Sequence, residues 1–476
     1  MKKTKIVCTL GPACNTDEVL EQMLKAGMNV ARLNFSHGTH ETHKENIERF
    51  RRVRNKLGIP AAVLLDTKGP EIRLRDFEGD SAILEEGSSF TLTTEDVLGT
   101  ARRASITYAD LPRQLSAGNT LLIDDGRLRL TVVRTTQTEI ECAVDVGGKV
   151  SNHKGINVPS VPLDMPYLSE TDKSDLLFGI ENNVDFVAAS FVRRKEDVVC
   201  LRKFLDYNGG HDIRIIAKIE NLEGVANFDE ILSCADGIMV ARGDMGVEVG
   251  LELLPGLQKR FIQRCYQAGK MVITATQMLE SMINNPSPTR AETSDVANAV
   301  FDGTSAVMLS GESAAGKYPV ETVRTMSHIV EQAERDLLQL DMMSHSAHDI
   351  DYSDITNAIC DATCTTARDI KAKAIIAVTK YGSTARRMSK FRPLQPIVAA
   401  TPVEKTYHQL ALSWGVYPVL ARYQKSSDDL FIHAADCAKQ IDLVQDGDLV
   451  VITGGLPLGT TGSTNILKVQ IVGDRR

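Results

Sequence analysis

Eight short, mostly apolar runs recur along the chain, at 5–10, 29–36, 61–67, 184–191, 213–220, 237–243, 271–276 and 305–311, all but the third followed directly by a stretch with helical spacing. Strands that read as nearly continuous apolar runs are covered on both faces. Strand and helix alternating eight times is the pattern of a parallel sheet closed into a (β/α)₈ barrel. One interruption breaks the alternation. Between 70 and 166 the runs are short, alternating and rich in Thr and Val, at 89–94, 120–124, 128–134 and 139–146. This predicts an all-β insert, sandwich- or barrel-like, after the third strand. Pro159, Pro162 and Pro166 mark its exit.

A charged, low-complexity bridge is expected at 336–350. A second α/β unit follows, with strands at 374–379, 397–401, 416–421, 449–453 and 467–472. At 476 residues the chain is long enough for about three domains. The expected division is 1–69 with 167–340 for the barrel, 70–166 for the insert and 341–476 for the C-terminal unit. In the first helix, Asn15 with Glu18 three residues on is the expected cap, and Gly27 the stop.

Composition narrows the function classes. A net charge of −8 offers no basic footprint for nucleic acid. No apolar stretch approaches the ~18–20 residues of a membrane span. The basic start Met1–Lys5 precedes an apolar run too short for a signal peptide. Nine cysteines without a C-x-x-C spacing suggest reduced thiols in a cytoplasmic protein.

In such barrels the chemistry gathers at the C-terminal ends of the strands. The second strand ends in Arg32, Asn34 and Ser36, and the third in Asp66 and Thr67. The fifth ends in Lys218 and Glu220, and the sixth in Arg242, Gly243 and Asp244. The seventh ends in Thr276 and the eighth in Ser310 and Glu312. Glu220 and Asp244 are hard carboxylates suited to Mg²⁺ or Mn²⁺. Arg32, Arg73 and Lys218 add the positive charge that a phosphoryl group needs in its transition state. Asn34, Ser36, Asp66 and Thr67 offer oxygen ligands with one charge, which suits a monovalent cation. Thr276, Ser310 and Glu312 are candidates for proton handling. Each group also has a plainer reading, as a surface ion pair or a turn residue. Their recurrence at consecutive strand ends raises the functional one. In the C-terminal unit, Thr379, Lys380, Ser383 and Thr384 follow a strand and open a helix, a plausible phosphate cradle. A second Gly/Thr-rich loop lies at 454–465.

These residues fall within runs that resemble the pyruvate kinase family over nearly the whole chain. The runs are KIVCTLGPA (5–13), NVARLNFSHG (29–38), LDTKGPEIR (65–73), KGIN (154–157), AKIEN (217–221), MVARGDMGV (239–247), ITATQML (273–279), PSPTRAE (286–292) and DGTSAVMLSGE (302–312). The resemblance implies transfer of a phosphoryl group from phosphoenolpyruvate to ADP, giving pyruvate and ATP. It implies Mg²⁺ on Glu220 and Asp244, and K⁺ on Asn34, Ser36, Asp66 and Thr67. It also implies Lys218 at the phosphoryl group in flight and Arg73 at phosphate. Arg32, Gly243, Asp244 and Thr276 fall on the substrate, and Arg32, His37, Arg73 and Lys154 on the nucleotide. A homotetramer and a phosphorylated sugar effector at Thr379, Lys380, Ser383 and Thr384 follow from the same resemblance. Glu71 marks the K⁺-requiring members. Two departures stand out: Met245 where Leu is usual, and His153 where Lys is frequent, which puts a nucleotide contact of that residue in doubt. A Mg²⁺-dependent barrel lyase acting on phosphoenolpyruvate or oxaloacetate shares the same mouth. A degenerate homologue that only binds metabolites is the non-enzyme alternative.

Overall fold

A computed structural model describes residues 2–159, 161–339, 352–458 and 464–474. Eight parallel strands close a barrel in chain order. They are β1 (Lys5–Thr9), β2 (Val30–Asn34), β3 (Ala62–Asp66), β4 (Phe186–Ala189), β5 (Arg214–Ile219), β6 (Gly237–Ala241), β7 (Met271–Ala275) and β8 (Ala306–Leu309). Successive strand residues face opposite sides. Val7, Val30, Leu64, Phe186, Ala188, Ile216, Met239 and Ile273 therefore pack in the lumen. Their neighbours Ile6, Ala31, Val63, Val187, Ile215 and Val240 pack outward under the helices.

That alternation places the functional residues. Arg32 continues the inward row of Val30, Asp66 that of Leu64 and Lys218 that of Ile216. Ser190 continues the row of Phe186 and Ala188 on β4. Register brings Asn34 opposite Asp66, and Asp66 opposite Ala188. The inward polar residues therefore stack as a layer on top of an apolar plug.

Between β3 and β4 the chain builds a seven-stranded mixed sheet from segments between Ile72 and Asn157, with a separate two-stranded ribbon. It has its own core, including Phe90, Leu121 and Leu130. Among the described residues it also contains a short α-helix, Leu111–Gln114, and a 3₁₀ turn, Glu78–Asp80, where only strands were expected.

The C-terminal sheet orders its strands β11–β10–β9–β12–β13. These are β9 (Ala374–Val378), β10 (Ile397–Thr401), β11 (Val416–Leu420), β12 (Leu449–Gly454) and β13 (Ile466–Ile471). The order reverses between β9 and β12, and ligands in such sheets bind in the crevice at that switch point. Polar contacts seat this unit on the barrel. Lys405 Nζ donates to Asn183 Oδ1 at 2.7 Å and Lys5 Nζ to the Val416 carbonyl at 2.7 Å.

Two local expectations need correction. Thr16, not Asn15, caps the first helix (Asp17–Ala26), accepting from the Val19 amide. Asn15 is used up closing the turn Pro12–Cys14. The stretch 336–339, expected in a bridge, belongs to the helix Pro319–Gln339, because Leu337 is buried in the barrel's outer core. Residues 340–350 of the expected bridge lie outside the described residues.

Candidate active site

Asp66 is fully buried at the end of β3 and is the hub of the mouth. Its Oδ2 accepts from Arg32 Nε at 2.6 Å, and its Oδ1 from Lys218 Nζ at 3.1 Å. Arg32 also donates to Thr9 Oγ1 at the end of β1 (2.8 Å). Burial alone would push the Asp66 carboxyl up, but Arg32 and Lys218 outweigh it and hold it below its usual range.

Lys218 is clamped on its other sides by Glu220 Oε1 at 2.9 Å and Ser190 Oγ at 2.7 Å. Burial disfavours its charge; Asp66 and Glu220 reverse that and hold the ammonium firmly protonated. Glu220 Oε2 accepts from the Phe191 amide at 2.6 Å. Its carboxyl is raised to about 7 by burial, with the adjacent Asp244 charge adding to the shift. Burial raises Asp244 too, and the two carboxyls are within hydrogen-bonding reach. Buried Glu220 and half-buried Asp244 thus bring two carboxyls together next to the Lys218 ammonium.

Asp244 lies in the first turn of the helix Arg242–Val249, where free N–H groups favour an anion. The Gly243 amide donates to Thr276 Oγ1 at 3.1 Å. Thr276 and Gln277 hold left-handed backbone, φ +67° and +54°, unusual for a β-branched residue. Arg242 staples them: its Nη2 donates to the Thr276 carbonyl at 2.6 Å and its Nη1 to Asp295 at 2.7 Å. Arg242 therefore orients Thr276 from behind rather than facing the mouth.

Glu312, expected in proton handling, carries a carboxyl that burial raises above its usual range. It is buried and accepts from the Ser310 amide at 2.7 Å and the Leu279 amide at 3.2 Å. Those bonds tie the loop after β8 to the loop after β7. Ser310 is half-buried beside Glu312.

The insert contributes from above. A cleft of about 520 Å³ is lined by Glu71, Arg73, Asp124, Lys154 and Asp244. Arg73 is tied to Glu71 (2.5 Å) and to the His153 carbonyl (2.8 Å). Burial raises the Glu71 carboxyl despite Arg73. Lys154 pairs with Asp124 at 2.7 Å. The His153 ring turns away to Asp76 at 3.1 Å. At the end of β2, Asn34 Oδ1 accepts from the Ser36 amide at 3.2 Å, and His37 faces solvent on the following loop.

A second cavity of about 360 Å³ opens at the switch point of the C-terminal sheet, lined by Thr379, Lys380, Tyr381, Ser383, Thr384 and Tyr423. Lys380 is exposed, lies over the Tyr381 ring at 5.0 Å and is raised by its bonds to Tyr381 and Tyr423. The helix Ser383–Lys390 starts behind Gly382 without a side-chain cap. Thr384 was expected to offer its hydroxyl to a ligand. It lines the cavity but is buried, and its hydroxyl is bonded to Thr464 Oγ1 at 2.9 Å. Residues 459–463 of the 454–465 loop lie outside the described residues.

Ser190, Asp124 and Asp295 went unnoticed as site residues. Ser190 carried one usable signal: it directly follows β4, a strand missing from the inventory of strand ends.

Residues 1–323 match the family model described as the pyruvate kinase barrel domain, and 357–470 that of the pyruvate kinase alpha/beta domain. The chain is 49% identical over 473 residues to a Clostridium acetobutylicum protein named pyruvate kinase, covering 99% of this chain and all of that one. It is 49% identical over 475 residues to one from Geobacillus stearothermophilus, and 48% identical over 476 to one from Staphylococcus haemolyticus, covering 81% of each relative. Among the described residues no helix is long and apolar enough to cross a membrane.

Proposed function

The chain belongs to the pyruvate kinase family, and we propose that the mouth of its barrel moves the phosphoryl group of phosphoenolpyruvate onto ADP, with Lys218 facing the group in flight. The reaction yields pyruvate and ATP. One observation carries the assignment of roles. Lys218 is held charged between Asp66, Glu220 and Ser190, with the Glu220 and Asp244 carboxyls side by side at the same strand ends.

The residues fit the family's divalent ion. Glu220 and Asp244 supply two hard oxygen donors, and among the described residues no third carboxylate, His or Cys completes a cage. That leaves the remaining positions to water and substrate, as Mg²⁺ prefers. When bound, Mg²⁺ (or Mn²⁺) screens the phosphoryl oxygens. Asn34, Ser36, Asp66 and Thr67 form an oxygen-only donor set with one carboxylate, which suits K⁺.

The protein's own groups do the rest. Gly243 and Asp244, in the first turn of their helix, receive the substrate carboxylate with Thr276 beside them. The Lys218 ammonium meets the charge that grows on the transferring group, already oriented, so no reorganisation is needed at the moment of reaction. Arg73 and Lys154 reach down from the insert to the phosphates, with Arg32 and His37 on the nucleotide side. The insert excludes water that would otherwise intercept the phosphoryl group. Thr276 and Ser310, oriented by Arg242 and Glu312, lie where the enolate is to be protonated.

The division at 70, 167 and 341, a homotetrameric assembly, a cytoplasmic location and activation by a phosphorylated sugar at Lys380, Thr379 and Ser383 belong to the same proposal. Thr384 supports that site from below. The barrel-lyase reading is not favoured by whole-chain likeness to proteins named pyruvate kinase. Phosphoenolpyruvate labelled in its phosphoryl group tests the reaction. The label is expected in ATP, and only when ADP is present. Label released as free phosphate without ADP would overturn the assignment.

A further inference from the structure

Ser190 is 1% exposed, and every polar atom it owns is used. Its Oγ accepts from Lys218 Nζ at 2.7 Å and donates to the Thr67 carbonyl at 2.6 Å, with Asp66 Oδ1 at 3.2 Å. Its amide donates to Thr67 Oγ1 at 3.1 Å, and its carbonyl accepts from the Tyr167 hydroxyl at 3.1 Å. Gly69 packs so closely that a Cβ there would lie 2.9 Å from the Ser190 Cβ. A hydroxyl with a single proton cannot donate to two acceptors at once. Donation to Thr67 leaves its lone pairs for Lys218.

We propose that Ser190 is a positioning residue that couples the Asp66–Thr67 corner to Lys218, so that monovalent-cation binding at that corner sets the aim of the ammonium. The inference rests on the reading of Asp66 and Thr67 as K⁺ ligands. Ser190 is the one side chain among the described residues that bonds both the Thr67 carbonyl and Lys218 Nζ. A cation drawing on the Thr67 carbonyl alters the acceptor that the Ser190 proton sees. The other side of the same oxygen holds Lys218. Asp66 touches Lys218 as well, but its second oxygen is taken by Arg32. Small errors of aim at a reacting centre are costly in rate.

The experiment uses the full-length protein with Mg²⁺, and titrates K⁺ against turnover in wild type, Ser190→Ala and Ser190→Cys. Thermal unfolding of each is measured in parallel. Ser190→Ala is expected to lose roughly tenfold in kcat with KM for phosphoenolpyruvate within about twofold. Its half-saturating K⁺ is expected to rise several-fold. Ser190→Cys, nearly the same size with a weaker donor, is expected between the two; it decides the matter if the alanine variant does not fold. A folded variant with wild-type kcat overturns the positioning role. A lower kcat with an unmoved K⁺ response overturns the coupling. A wild type indifferent to K⁺ instead fails the underlying ion assignment, independently of either variant.

Discussion

The barrel mouth and the C-terminal pocket both present a lysine near hydroxyls and a helix N-terminus, yet they are built on opposite lines. In the mouth, Lys218 is buried and held by three partners, each on a different strand end or two residues along its own. In the C-terminal pocket, Lys380 is exposed and leans on the tyrosines. Its walls are an uncapped helix start and a loop pinned through one buried threonine pair. Fixed charge in a water-poor site stabilises developing charge without rearrangement. An exposed lysine beside a loop gains little from a charge that changes during a reaction, but it can accept a ligand and report its arrival. The contrast supports the proposal of chemistry at one site and regulation at the other.

The largest effect that sharpens the contrast is removal of both carboxylates proposed to hold the divalent ion. Glu220→Gln with Asp244→Asn should lower turnover by more than about 10³-fold, since a single electrostatic group at such a centre is worth roughly 10²–10³. Steady-state assays across a Mg²⁺ titration check this, and recovery at high Mg²⁺ would argue for other ligands.

Next comes Lys380→Glu. Opposite charge at the pocket should erase the leftward shift of the phosphoenolpyruvate curve by a sugar phosphate, a coupling of typically ~1–3 kcal/mol. The plateau should not move. A fallen plateau would blur the two roles.

Arg242→Lys keeps the charge but loses the fork that spans the Thr276 carbonyl and Asp295. Turnover should fall roughly tenfold as Thr276 loses its left-handed backbone. An unchanged kcat would show that Thr276 holds itself. Glu71→Lys should weaken the K⁺ requirement, because an ammonium next to the cation corner can replace the ion's charge. Activity with and without K⁺ in Na⁺ buffer reads this directly. The smallest effect is expected from Thr384→Val. One neutral buried bond is worth about 1 kcal/mol. Effector half-saturation should rise a few-fold with basal kcat unchanged.

The barrel was legible because strands covered on both faces leave continuous apolar runs, and eight such runs have one economical arrangement. Strand limits were less so. The run 184–191 counts as strand only over Phe186–Ala189, because the Ser190 and Phe191 amides go to the Thr67 hydroxyl and the Glu220 carboxylate rather than to a neighbouring strand. Residue type and strand position were enough to nominate groups for the mouth. They could not reveal which way a buried carboxylate's lone pairs are spent. Glu312 carries the same side chain as Glu220, yet two backbone amides from different loops occupy it. Thr384 likewise looks like Ser383 in the sequence, and only its bond to Thr464, 80 residues on, separates their roles. Ser190 escaped notice for the same reason: its partners lie 123 and 28 residues away.

The account rests on the claim that Lys218 acts on the phosphoryl group in flight rather than on substrate binding. Kinetics of Lys218→Met beside wild type, with Mg²⁺ and K⁺ saturating, test it most directly. The account predicts a kcat lower by about 10²–10³-fold with KM for phosphoenolpyruvate little changed. Near-wild-type kcat with a raised KM would contradict it.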